Sequence, residues 1–312
     1  MRRKLLSLIL IGLYVAQALG QECRMSRAFA QPDTNSLSGT GRTAVWADPS
    51  NSSLFFVESL EVNTDGTRRS YSVDDFWGKR VAINNLCNAM GDACDGLDSE
   101  QLRARRIVTQ RARDAGWPHD LLVQTRISQS IIPFKNGKPC PPLEGFLVSA
   151  TALHKPVVAD PCDITNYVDA LEVPALVLPR NPKGGRSGFD ARHADVGDLV
   201  VAMVPGGAAP VFAVVGDKGP PNKLGEGSVA LNGRLLGKTD QPQNYDEVRG
   251  RGQFRGRGWG VPRALVLVFP ASGDARVPYM TAPRIDEAAR RRFEEWGGVA
   301  RLTACAREYS RQ

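Results

Sequence analysis

The stretch VFAVVGDKGPPNKLGEGSVAL, Val211 to Leu231, decides how this chain is read. The β-branched and apolar run VFAVV and the shorter run SVAL are bounded by Gly216, Gly219, Pro220, Pro221, Gly225 and Gly227. That pattern predicts two strands joined by a stiff Gly/Pro connection. The first strand ends on Asp217 and the second begins just after Glu226, so two carboxyls flank one loop. Paired carboxyls are the equipment of glycosidic cleavage, one protonating the leaving oxygen and the other activating water or attacking the sugar. Taken alone, acids beside turns more often cap backbone amides.

The residues go further than spacing. Gly216-Asp217, Gly225-Glu226, Ser228 and Leu231 resemble the catalytic segment of the family-75 glycoside hydrolases, secreted endo-chitosanases with a motif of the type G-D-(loop)-G-E-x-S-x-x-L. Asp92-Ala93-Cys94-Asp95-Gly96 is similar to that family's D-x-C-D-G stretch, and Val173 to Pro179 to its T-P-Y-Y-V-[IL]-P strand. The similarity runs from about Asn84 to Leu236. It departs from the pattern at Lys218-Gly219-Pro220, where T-N-G is common, and at Ala175-Leu176, where the family has two tyrosines. The resemblance implies an endo-acting, inverting hydrolase of β-1,4-linked chitosan, with Asp217 and Glu226 as the catalytic pair. Glu226 is first assigned as acid and Asp217 as base, and the sequence leaves the exchange of roles open.

Working outward, Ala170–Leu178, Asp198–Val204 and Ala264–Phe269 read as further strands, as do Leu121–Thr125 and Gly145–Ala150. Short strands at this spacing predict a mainly β, β-rich α+β fold with flanking helices, built on a barrel. By analogy with related polysaccharide hydrolases, a six-stranded double-psi barrel is the preferred version. Helices are expected over 74–89, over 99–115 behind an Asp98 or Ser99 cap, and over 284–296 as a closing element.

Residues 1–20 have the three parts of a secretory signal. Arg2, Arg3 and Lys4 form a basic region, Leu5 to Val15 an apolar core, and Ala18-Leu19-Gly20 a small-residue cleavage site. The expected organisation is therefore a signal peptide (1–20), an irregular N-terminal arm carrying one strand (21–69) and a catalytic domain (70–312). The product is expected to be secreted, extracellular or periplasmic, with no membrane span and a monomeric state. The formal charge is +7, of which Arg2, Arg3 and Lys4 contribute three. A mildly basic chain is not the obvious partner of a polycation, which keeps a neutral or anionic cell-wall glycan such as peptidoglycan in view.

All 6 cysteines follow the signal, an even number in an oxidising compartment. Six cysteines allow about 15 pairings. Proximity in the chain favours Cys87 with Cys94 and Cys140 with Cys162, leaving Cys23 for Cys305. No C-x-x-C pair is present and His119, His154 and His193 are scattered, so neither a metal nor another cofactor is expected.

Arg249 to Trp259, RGRGQFRGRGW, resembles an arginine/glycine nucleic-acid segment, but export argues against nucleic acid as partner. Phe254 and Trp259 are instead candidates for stacking on a sugar, with a plain surface loop as the alternative. Asp198, ahead of the run LVVAMV, is a candidate third carboxyl, although an acid in that position is usually a turn residue. Beside the hydrolase stands a second class of function, a non-catalytic polysaccharide-binding module that keeps the acids as hydrogen-bond acceptors.

Overall fold

In a computed structural model of the chain, residues 22–207 and 209–309 are described. The expected signal at 1–20 lies outside them. The described residues contain ten strands: β1 (Ser26–Pro32), β2 (Arg42–Ala47), β3 (Leu54–Asn63), β4 (Phe134–Lys135), β5 (Lys138–Pro139), β6 (Ala175–Pro179), β7 (Leu199–Met203), β8 (Val211–Gly219), β9 (Glu226–Ser228) and β10 (Val261–Phe269). The helices are α1 (Ser99–Asp114), α2 (His119–Thr125), α3 (Val229–Leu235), α4 (Tyr245–Val248), α5 (Ala282–Trp296) and α6 (Gly298–Tyr309).

Six strands close on themselves in the order β3-β10-β7-β8-β6-β9, with β9 returning to β3. The pairs β6/β8 and β3/β9 are parallel and the rest of the ring is antiparallel, which makes a mixed six-stranded barrel. β1 and β2 extend the sheet from β3, and β4 and β5 form a separate hairpin. Closure leaves no unpaired edge within the ring, the usual reason for a barrel.

Period-2 alternation sorts the barrel residues into two cores. Leu54, Phe56, Leu176, Leu178, Val200, Ala213, Val215 and Val266 form one buried cluster, which fills the interior. Their neighbours Phe55, Val57, Ala175, Val201, Phe212, Val214 and Leu267 point outward and are covered by Ile285, Ala289, Phe293 and Trp296 of α5 and Leu302 of α6. A strand buried on both faces reads as a continuous apolar run, as LVVAM and VFAVV do. A third cluster, around Tyr71, Phe76, Leu86, Trp117 and Ile132, belongs to the helical cap of α1 and α2. Asp98 caps α1 with a full capping box: its carboxylate accepts from Glu100 and Gln101, while the Gln101 side chain accepts from the Asp98 amide.

The disulfides are Cys23–Cys305, Cys87–Cys94 and Cys140–Cys162. The first fixes the N-terminal strands to α6, where Tyr309 also stacks on Trp46 at 4.8 Å. Among the described residues no helix is long and apolar enough to cross a membrane.

Several expectations fail locally. Residues 22–69 are not a loose arm, because β3 is a barrel stave, so a boundary at 69/70 would cut the barrel. Leu121–Thr125 lies in α2, and Gly145–Ala150 forms only bridges, Tyr71 with Leu147 and Leu143 with Phe146. Residues 74–89 are turns and the start of a 3-10 turn at Leu86–Met90. After Glu226 the strand is brief: Ser228 accepts from Leu231 N and starts α3 where SVAL reads as strand.

Candidate active site

Val177 in β6 is level with Asp217 on one side and Glu226 on the other. On the far side of β9, Glu226 is level with Glu61 of β3. One rung of the barrel therefore carries Asp217, Val177, Glu226 and Glu61 in order.

That Asp217 shares a face with Val177 requires an irregularity. Ala213 and Val215 point into the barrel, and strict alternation would send Asp217 inward after them. Instead the β6/β8 register shifts: Leu176 pairs with Val215 but Val177 with Asp217, so Gly216 is an extra residue. A bulge of this kind re-aims a side chain. Gly216 permits it because a Cβ there would lie 2.7 Å from the Ala175 Cβ. Gly225 has an equally strict role: its φ is +86° and a Cβ would sit 2.2 Å from the Ser59 carbonyl oxygen.

Asp217 Oδ1 accepts hydrogen bonds from the amides of Ala152 at 3.0 Å and Lys218 at 2.8 Å. Burial nonetheless dominates and, with the charge of Glu226, pushes its pKa up to about 6. Glu226 has a different setting. The Lys223 ammonium lies 2.6 Å from Glu226 Oε1 and 3.0 Å from Glu61 Oε2, and Arg249 reaches Glu61 at 3.4 Å. Burial pulls the Lys223 pKa down, but the two carboxylates outweigh it and the net direction is upward. Glu61 is held below the usual range: burial raises it, and Lys223 and Arg249 more than offset that.

Ser228 anchors this arrangement. Its hydroxyl donates to Val173 O at 2.8 Å and accepts from Ala175 N at 2.9 Å and Leu231 N at 3.0 Å, tying β9 and α3 to β6. Leu231 is fully buried in the barrel interior. These two motif positions thus hold the acids' frame.

A third acid was not among the sequence candidates. Asp65, just past β3, lines a void of about 10 Å³ together with Asn63, Thr151, Val177, Asp217 and Ser228. Its Oδ1 accepts from the Tyr71 hydroxyl at 2.8 Å. Burial first, then the charge of Asp217, raise its pKa to about 8, against the lowering effect of the Tyr71 hydrogen bond. A larger groove of about 520 Å³, lined by Met90, His119, Arg126 and Phe134 among others, contains none of the three acids. Asp65 and Asp217 line the small void instead.

Asp198 takes no part. It is 3% exposed, and its carboxylate accepts from the amides of Asp195, Ser272 and Gly273, which makes it a turn clasp at the start of β7. Trp259 and Phe254 are 3% and 9% exposed and so present no open ring to a sugar. Trp259 packs with Ile83, Val229 and Val248, donates to Glu247 Oε1 and carries Lys238 over its ring. Among the described residues no group of three or more His, Cys, Asp or Glu is arranged to hold a metal ion.

Comparison with models of known protein families and with curated proteins found no match for this chain.

Proposed function

We propose that this protein is a secreted endo-acting glycoside hydrolase that cleaves β-1,4 linkages of chitosan or a related glycan by inversion, as its resemblance to the family-75 chitosanases implies. One observation carries the proposal: Asp217 and Glu226 flank Val177 on the two strands beside β6. Two strand spacings separate their backbones by roughly 9.5 Å. Inverting hydrolases need carboxyls about 6.5–9.5 Å apart to admit a water. The signal-like residues 1–20 and the three disulfides support export.

The environments of the two acids favour a division of labour opposite to the first assignment. Asp217, enclosed and raised to about 6, is suited to hold the proton that the leaving oxygen receives. Glu226, ion-paired to Lys223 through Oε1, has Oε2 left to take the proton of the attacking water. Water adds to the anomeric carbon as the glycosidic bond breaks. One proton leaves Asp217 for the departing oxygen, and one leaves water for Glu226.

Lys223 and Arg249 at the acid rung favour a second substrate, a neutral or anionic wall glycan of the peptidoglycan type. Reducing-end release from chitosan, chitin and peptidoglycan side by side discriminates these substrates. Proton NMR of the first product formed reads inversion or retention. No release from any of the three would favour the binding-module alternative.

A further inference from the structure

Asp65 has the marks of a member of the site rather than of a turn. It shares the 10 Å³ void with Asp217, and no basic side chain pairs with it among the described residues. One segment braces both acids. Gly66 N, next to Asp65, donates to Ser149 Oγ at 2.9 Å; three residues on, Ala152 N donates to Asp217 Oδ1; and Leu153 N donates to the carbonyl of the bulged Gly216. On its other side Asp65 is held by Tyr71, whose hydroxyl accepts from Asn84 Nδ2 at 3.2 Å. The groups facing Asp65 are Asp217 from β8, Glu226 from β9 and the Tyr71 hydroxyl, while the Lys223 ammonium is bound to Glu226 and Glu61.

We propose that Asp65 is a positioning residue for Asp217, the third carboxyl of one proton-sharing cluster held between β3, β8 and β9. The proposal rests on Asp217 and Glu226 being the working pair. Asp65 and Asp217 line one small void, and Glu226 of β9 adds its charge, so these carboxylates repel one another. Asp217 accepts from two backbone amides whereas Asp65 accepts from the Tyr71 hydroxyl, which makes Asp65 the one that keeps its proton. A neutral Asp65 can stand beside Asp217 through a cycle in which Asp217 alternates between acid and carboxylate, without adding charge to either state. Burial and the neighbouring charges act together on Asp65, which is consistent with a pKa of about 8.

The test is a carboxyl-carbon NMR titration of the mature protein, wild type against Asp217→Asn and Glu226→Gln, with Asp198→Asn as a remote control. Asp65 is expected to titrate near 8 in the wild type. By reciprocity of coupling, neutralising Asp217 should move it down by roughly half a unit or more, and neutralising Glu226 by less. Asp65 titrating in the ordinary carboxylate range, or unmoved by Asp217→Asn, would overturn the proposal. On a substrate that the wild type cleaves, Asp65→Asn, which keeps the shape and the acceptor for Tyr71, should retain activity within about fivefold near pH 6, and Asp65→Ala should lose ~10-fold or more. Equal activity of Asp65→Ala and wild type would also overturn it. If the titrations are coupled as stated and no glycan is cleaved by the wild type, the hydrolase function fails and the cluster stands.

Discussion

The ammonium of Lys223 lies 2.6 Å from Glu226 Oε1, inside the same loop that separates Glu226 from Asp217. The two residues form an i, i+3 pair, so the connection that spaces the two acids also supplies the cation that pairs with one of them. Lys223→Met should lower kcat by ~10-fold or more on the cleaved glycan. Stability should change little, since the pair is partly exposed and such pairs contribute about 1 kcal/mol or less. Steady-state kinetics beside a thermal melt separates the two. A kcat unchanged by Lys223→Met would remove the lysine from the chemistry.

Asp217 gives stability a pH signature. Its folded pKa, about 6, lies above the unfolded value, so the stabilisation from its proton is complete below pH ~4 and is lost as pH rises through about 6. Asp217→Asn carries no charge to desolvate. Its melting temperature should therefore gain on wild type between pH 4 and 7, by an amount equivalent to roughly 2 kcal/mol at most. Melting curves across that range check the sign, and a gap that shrinks as pH rises contradicts it.

Gly216→Ala tests the bulge. The added methyl meets the Ala175 Cβ at 2.7 Å, so β6 and β8 must part or the bulge must move. The expected cost is about 1–3 kcal/mol in stability. The loss in kcat should be larger, ~10²-fold, because a small displacement of Asp217 spoils its alignment. Activity falling only in proportion to folded protein would mean that the bulge does not aim the acid.

What the sequence disclosed, and what it hid, follows from the range of the interactions involved. Gly216-Asp217 and Gly225-Glu226 are legible because strand, glycine and acid are adjacent in the chain. Leu121–Thr125 misleads because a short apolar run fits either a strand or a buried helical turn, and Pro118 ahead of it begins α2. Ser228 looks like the first residue of a strand, yet its hydroxyl caps α3. Asp65 is illegible for another reason. In TDGT it is indistinguishable from a turn acid, and only the parallel pairing of Asn63 with Ser228, which ends β3 beside β9, brings it to the void that Asp217 lines. The alternating face of β3 was hidden by the polar residues on either side, so the stave passed for a lone strand in an arm. Trp259 suggests a sugar platform until Ile83 and Val229 are seen to cover it.

The Cys23–Cys305 bridge, whose ends are 282 positions apart in the sequence, should be the most consequential of the three for stability. Replacing both cysteines by serine is expected to cost about 2–5 kcal/mol in denaturant unfolding. Thiol assay of the denatured, unreduced protein should find no free thiol in the wild type.

The pair itself is tested most directly by reducing-end release with Glu226→Gln and Asp217→Asn, each measured on the glycan that the wild type cleaves and each paired with a melting temperature. The amides keep size and hydrogen bonding but cannot exchange a proton as required, so both variants should lose ~10²–10⁴-fold in kcat while melting at or above the wild type. Asp198→Asn, altered in a turn clasp outside the site, should lose far less. Substantial cleavage by both Glu226→Gln and Asp217→Asn, with folding intact, would contradict the two-carboxylate account.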